Sequence, residues 1–281
     1  MEKIALVTDS TADLTAAMQE KFKVYTVPLK IYFGQQEYLD GELKPADFYK
    51  KLAVAPELPR SSQPSPGEFL ALYDELCKKY DKIISIHLSS GLSGTVNAAR
   101  IAAETLPKKV YVVDSKTISL GIGLVVGEAA RCIAARMPVG RVLERLQLVR
   151  KNVETIFTLN TLEYLHRGGR IGKVTSLLGS ILNIKPIVQV NEEGIYIPIG
   201  KVRSQNRALE QIVHHIEQLA RGRIIKTLVV AHGAAPEAAC KLKQALEDNF
   251  KQKVTFFTQV GAVIGVHTGP GTTGAAVQFH C

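Results

Sequence analysis

Three short runs rich in β-branched residues, KIALVT (3–8), KIISIHLS (82–89) and KVYVVDS (109–115), alternate with stretches whose apolar residues recur at helical spacing. That alternation constrains the chain more than any other feature. A strand, a crossover helix and a returning strand make a parallel pair, so the first 150 residues are predicted as β-α-β-α-β-α. Both faces of such a sheet are covered by helices, and its ligand crevice lies at the strands' carboxyl ends. The helices carry their own signals. SPGEFLALYDELCKKY places Ser65 as N-cap, Pro66 at the first helical position and Glu68 three residues after the cap, a capping box. GLSGTVNAARIAAETL and SLGIGLVVGEAARCIAARM follow with apolar residues at helical spacing.

From about Val153 the texture changes to ETIFTLN, a basic turn HRGGRIGK, an apolar helix over Thr175 to Asn183, and alternating strands PIVQV and GIYIPIG around Asn191-Glu-Glu-Gly. That hairpin is an antiparallel signal. A helix from Ser204 to Leu219, the strand TLVVAH, a helix through 236–249 and the strand VTFFTQV complete an α+β unit with a mixed sheet. With 281 residues and roughly 100–200 per domain, the α/β fold divides into an N-terminal domain, 1–152, and a C-terminal domain, 153–281, with a cleft for ligand between them.

Composition narrows the function. The net charge of +9 favours acidic partners, but aromatics are 6% and Trp is absent, which leaves a nucleic-acid interface without its stacking residues. Cys77, Cys132, Cys240 and Cys281 are scattered and read as reduced thiols. His214 and His215 are adjacent on a helix and face two directions, so no metal site is expected. The start lacks a signal pattern and no apolar run reaches about 18 residues, which points to a cytoplasmic protein.

GAVIGVHTGPGTTG (261–274) contains a literal G-x-G-x-x-G, yet only AAVQFHC follows it, with no room for the helix and acid that a dinucleotide loop needs. It is expected to expose backbone N–H groups beside His267. Three hydroxyl-rich stretches, DST (9–11), SSQPSP (61–66) and SSGLSGT (89–95), fall after strands or before helices. Their serines either cap turns or, where two loops converge on one crevice, hold an anion. Asp9 and Asp114 end strands as turn caps or as bases, and Arg167 and Arg170 flank Gly168-Gly169 as solvated charges or as a clamp for an acid. Ser93 is a possible nucleophile, but Thr95 stands where the nucleophile elbow G-x-S-x-G needs its second glycine.

The segments VTDSTADL (7–14), SSQPSP, LSSGLSGT (88–95), VVDS (112–115), LEYLHRGGRIG (162–172), IKPI (184–187), GKVRS (200–204) and GAVIGVHTGPGTTG, in order along the whole chain, resemble the DegV family of fatty-acid-binding proteins. That resemblance implies a carrier, not an enzyme, which buries one long-chain fatty acid in a tunnel between two domains without a cofactor. It places the carboxylate at Ser61, Ser93 and His267, with Ser62, Gly94, Thr268 and Arg170 around them. In kinase-linked members a separate ATP-binding subunit of a fatty acid kinase phosphorylates the bound acid, and the acyl phosphate passes on through membrane or acyltransferase contact. Arg203 matches the kinase-docking or phosphate position. The sequence departs from the family's pattern in Ser61 for the usual Thr, in Val96 for a common aromatic, and in a less basic run after Arg203. The rival expectation is an acyl hydrolase or transferase with Ser93 as nucleophile and His267 as base.

Overall fold

The structure, a computed structural model, describes residues 2–106, 109–177 and 184–281. The three β-branched runs form β1 (Ile4–Asp9), β6 (Lys82–His87) and β7 (Val110–Asp114). After α1 (Ala16–Phe22), β2 (Val24–Val27) joins them in a parallel sheet ordered β2-β1-β6-β7, in register Leu6↔Val24, Ile4↔Lys82 and Ile83↔Val110. Successive side chains of a strand point to opposite faces, and both faces here are apolar. Ala5, Val7 and Ile83 meet α3 (Pro66–Cys77) and α4 (Thr95–Glu104), while Ile4, Leu6, Ile84 and Ile86 meet α5 (Leu120–Ala134). The capping box forms as expected: the Ser65 hydroxyl accepts from Glu68 N–H at 3.3 Å, and Glu68 accepts from Ser65 N–H at 2.7 Å.

Between β2 and α3 the chain builds a small antiparallel sheet, β4-β3-β5, that the sequence reading did not anticipate. Its strands are β3 (Lys30–Phe33), β4 (Gln36–Leu39) and β5 (Arg60–Ser62), with α2 (Pro45–Val54) inserted before β5. Only Ile31 is buried within β3, so the periodicity is too weak to read.

After α6 (Val139–Arg150), the second half forms β8 (Val153–Thr158), α7 (Glu163–Arg167), β9 (Lys185–Val190), β10 (Tyr196–Val202), α8 (Gln205–Leu219), β11 (Ile225–His232), α9 (Pro236–Phe250), β12 (Val254–Gln259), α10 (Ala262–Thr268) and β13 (Thr273–Phe279). Six strands pair in the order β10-β9-β8-β13-β11-β12, antiparallel throughout except β11 with β12, and α8 and α9 cover one face. The apolar helix expected over Thr175 to Asn183 begins as a 3-10 turn, Gly172–Leu177; its remainder, with Gly179, lies outside the described residues.

The glycine-rich stretch is a correction. Gly261 caps α10, Gly269 and Gly271 turn the chain at φ of 71° and 88°, and the following residues form β13 in the middle of the six-stranded sheet. The N–H groups expected to lie free are used: Gly269 N–H donates to the Gly265 carbonyl at 2.8 Å and Gly271 N–H to the Gly233 carbonyl at 2.7 Å. The glycines serve close packing instead, for a Cβ at Gly269 would lie 2.2 Å from the Tyr164 ring.

Helix α5 lies between the two large sheets. All its residues from Leu120 to Ala129 are buried, as befits a helix apolar on every side. Glu128 is the charged exception. It accepts from Arg145 of α6 at 2.8 Å, from Lys226 of β11 at 3.0 Å and from Arg131 one turn on. Burial opposes ionisation of Glu128, but the hydrogen bonds from Arg145 and Lys226 and the charge of Arg131 prevail, holding its carboxyl down at about 2. A pKa depressed on folding gives stability that is present above the unfolded value and lost as pH falls toward the folded one. Replacing Glu128 by Gln is expected to cost about 2 kcal/mol at pH 7, less than for a fully buried pair because Arg131 and Arg145 reach solvent. Denaturant unfolding of both proteins should show that difference shrinking as pH falls below about 4.5, the ordinary value of a glutamate carboxyl.

Candidate functional site

The loops after β1, β6 and β7 gather at the carboxyl ends of the parallel sheet, where α10 and the segment after α7 meet them. Ser61 stands in β5 opposite Ile31, Ser93 in the β6–α4 loop, Arg170 after α7, and His267 in the last turn of α10. Four distant stretches of chain thus deliver side chains to one cavity of about 40 Å³, which Leu29, Gln63 and Tyr196 also line. Ser61, Arg170 and His267 also face an outer pocket of about 550 Å³, rimmed by Arg60, Tyr164 and Arg167.

The polar groups are specifically engaged. Ser61 Oγ lies 2.7 Å from His267 Nε2. His267 Nδ1 is buried without a partner, against Gly168, where a Cβ would lie 2.4 Å from it. Burial, and then the charge of Arg170, push the imidazole down to about 4, so it is neutral at pH 7 and its Nε2 side can donate or accept. Arg170 donates to the Gly168 carbonyl at 2.6 Å and to the Leu92 carbonyl at 3.3 Å, which ties the Ser93 loop to the second half of the chain. Ser93 Oγ accepts from Thr95 N–H at 3.3 Å at the start of α4. The tip of the β9–β10 hairpin supports this loop from behind, where Gly194 approaches so closely that a Cβ would lie 1.9 Å from Ser89 Oγ.

The remaining residues singled out in the sequence do not line this polar cavity. Ser62 pairs with Lys30 in the small sheet and points to the opposite face from Ser61. Gly94 packs against the side chain of Gln63. Thr268, whose hydroxyl donates to the Ile264 carbonyl at 2.9 Å, lines a second cavity behind the polar one, and Arg203 is exposed beyond the end of β10. Arg167 pairs with Glu163 at 3.1 Å. Asp9 and Asp114 are turn caps: Asp9 accepts from the N–H groups of Thr11 and Leu88, each at 3.0 Å, and Asp114 accepts from Ser90 at 2.5 Å.

Two features were not legible in the sequence, the wall that divides the apolar space expected from the resemblance and a buried relay. Behind the polar cavity lies a second cavity of about 40 Å³, lined mostly by apolar side chains such as Leu120, Phe157 and Val260, and Ile118 and Ile264 line both. Each is small beside the roughly 300–1,000 Å³ of sites for drug-sized ligands, and those two isoleucines stand between them. A run of two serines at 61–62 and a lone histidine carried no hint of this wall. The other feature is a buried relay, in which His87 joins Asp9 Oδ2 at 3.0 Å and Ser85 Oγ at 2.7 Å. All three residues are wholly buried and none lines the cavity, so this relay is core structure. At the cavity itself His267 faces Ser61 rather than Ser93, and no carboxylate orients its Nδ1.

No helix among the described residues is long and apolar enough to cross a membrane, and no group of three or more His, Cys, Asp or Glu is placed there to hold a metal ion.

In the folded protein the His267 ring should stay neutral through pH 5–8. Nitrogen-detected imidazole spectra, with the resonance assigned by a His267→Gln variant, are expected to show no His267 titration in that range.

Comparison with known proteins gives one family. The model described as "Uncharacterised protein, DegV family" matches residues 3–280. A DegV domain-containing protein of Listeria innocua is 37% identical over 276 residues, covering 97% of each chain. Among solved structures, one titled as the fatty acid binding of a DegV family protein from Thermus thermophilus superimposes with a TM-score of 0.92 at 35% identity, covering 99% of this chain and all of that one. Another, titled as DegV, a fatty acid binding protein from Bacillus subtilis, gives 0.89 at 33% identity over the whole of both chains.

Proposed function

Because this chain belongs to the DegV family, we propose that it is a carrier that holds one long-chain fatty acid, such as palmitate, between its N-terminal unit (1–152) and its C-terminal unit (153–281). The observation that carries this reading is the convergence of Ser61, Ser93, Arg170 and His267 on one cavity that shares a wall with an apolar one. Two hydroxyls, a neutral imidazole and a guanidinium supply donors for a carboxylate. The apolar cavity then receives the chain, at about 0.8 kcal/mol for each buried CH₂. The fatty-acid binding described for the similar proteins from T. thermophilus and B. subtilis supports the same ligand class.

The outer pocket leaves the carboxylate end reachable from solvent through Ser61 and His267. This suits a carrier whose bound acid is presented to the ATP-binding subunit of a partner kinase, which converts the carboxylate to an acyl phosphate. Arg203, exposed beyond β10, is then a docking contact for that subunit, and transfer to phospholipid synthesis follows by contact with a membrane or acyltransferase. The chain supplies no nucleophile in this scheme. A hydrolase would need its histidine oriented by an acid, and His267 Nδ1 has none.

Denaturing extraction of the purified protein, followed by mass spectrometry, should release a long-chain fatty acid in near-stoichiometric amount. Ser61→Ala and Ser93→Ala should each weaken palmitate binding by roughly 1.5–3 kcal/mol in a direct titration, the range for one hydrogen bond to a charged group. Wild-type affinity in both variants would remove the carboxylate from this cavity.

With a kinase subunit from the same source, His267→Ala should lower acyl phosphate formation more than palmitate affinity, because the transferred phosphoryl group adds charge that only donors at this end can offset. Equal losses would make His267 a binding residue alone.

A further inference from the structure

The wall between the two cavities is built by two elements with no covalent proximity. Ile118 immediately precedes the start of α5, and Ile264 sits in the first turn of α10. One side chain bridges them. Asp13, in the turn after β1, accepts from the Ser119 hydroxyl at 2.5 Å through Oδ2 and from the Gly261 N–H at 2.7 Å through Oδ1. Ser119 is the neighbour of Ile118, and Gly261 is the N-cap of α10. Asp13 itself and one of its partners, Ser119, are set in unusual backbone, with φ of 50° and 52°, a conformation that costs energy for a residue with a Cβ and persists where surrounding contacts impose it. Asp13 is buried; its backbone N–H closes the short 3-10 turn Ser10–Ala12, while its side chain makes the two contacts of this junction.

We propose that Asp13 is a positioning residue for acyl-chain binding: by tying Ser119 to Gly261 it fixes the spacing of the two backbones whose isoleucines a long chain must part to pass from the polar cavity into the apolar one. The inference rests on the fatty-acid reading above. The isoleucines can swing aside by changing rotamer, on the nanosecond scale or slower in a packed interior, while the frame stays fixed. Without the tie the frame loosens and contacts along the distal chain are lost, whereas the head group keeps Ser61, Ser93 and His267. Burial pushes the Asp13 carboxyl up to about 7 against the hydrogen bonds from Ser119 and Gly261, with Asp40 and Asp9 adding to the rise. The pocket therefore accommodates a neutral side chain. An asparagine can keep both contacts, with its Oδ1 accepting from Gly261 and its Nδ2 donating to the Ser119 hydroxyl.

The test is a chain-length series, from octanoate to stearate, titrated calorimetrically into delipidated full-length protein. Asp13→Ala is expected to bind palmitate about tenfold more weakly, the equivalent of roughly 1.4 kcal/mol, with octanoate affinity within about twofold of wild type. Asp13→Asn should restore the wild-type profile. Ser119→Ala, which removes one of the two contacts and leaves the carboxylate in place, should show the same length-dependent loss in smaller measure and decides the matter if Asp13→Ala does not fold. A loss uniform across chain lengths would overturn the proposal by making Asp13 a general stability residue, and unchanged palmitate binding in Ser119→Ala and Asp13→Ala would overturn it outright. If wild-type protein binds none of the acids, the fatty-acid reading itself falls; if it binds them and only the variants behave as wild type, that reading stands and the role of Asp13 falls alone.

Discussion

A helical stretch buried on every side cannot sit on a surface, and the first ten residues of α5 are such a stretch. Its residues Leu120 to Ala129 are buried on every side, so the fold must supply two covering layers, and the parallel and mixed sheets are those layers. Close approach is built into the helix itself. A Cβ at Gly121 would lie 2.4 Å from Thr155 Oγ1 of β8, and one at Gly127 3.2 Å from the ring of Phe22. With the backbone pressed against both neighbours, the hydrogen bond between Thr117 and Thr155 at 2.8 Å spans the two halves of the molecule, and Glu128 joins them again further along the helix. The start of α5 is therefore among the firmest places in the structure, and the candidate site is built there.

The sequence disclosed the parts of the fold whose signals are local. Strands β1, β6 and β7 are continuous β-branched runs because both faces of their sheet are covered, and the capping box at Ser65 and the hairpin turn at Asn191 to Gly194 are chemical signatures of short range. Strand β13 was illegible for the opposite reason. Its TGAAVQF has small residues where β8 and β11 crowd it on both sides, so what makes it a strand is pairing with partners more than 40 residues away, such as Val229↔Ala276 and Ala276↔Thr155. A stretch of glycines looks like a loop when the reader cannot see the Tyr164 and Asn160 side chains that occupy the missing Cβ positions.

The candidate site divides along the same line. Hydroxyls, an arginine and a histidine have chemistry that can be named from the sequence, and the resemblance to the family named Ser61, Ser93 and His267 together. The structure brings these three with Arg170 to one cavity, puts Thr268 in the lining of the apolar cavity behind it, and leaves Ser62 and Arg203 facing elsewhere. Alternation along β5 separates Ser61 from Ser62, a distinction that needs the strand's register and not its composition. Asp13 was legible only as part of a motif. Nothing in DSTADL indicates that its carboxylate reaches Gly261, a contact 248 residues away along the chain.

That β13 occupies the middle of its sheet has a consequence for the order in which the protein can take shape as it is made. Residues 1–134 contain every strand of the parallel sheet and can begin to associate while the rest is still being synthesised, since domains tend to fold from the N-terminus as they emerge. The second sheet has no such freedom. Strands β8 and β11 each pair with β13, so until Thr273–Phe279 leave the ribosome these two strands have no common neighbour, and His267 has no fixed helix from which to meet Ser61. Between the appearance of α5 and that of β13 the newborn chain therefore has this apolar helix without the complete second sheet to cover it.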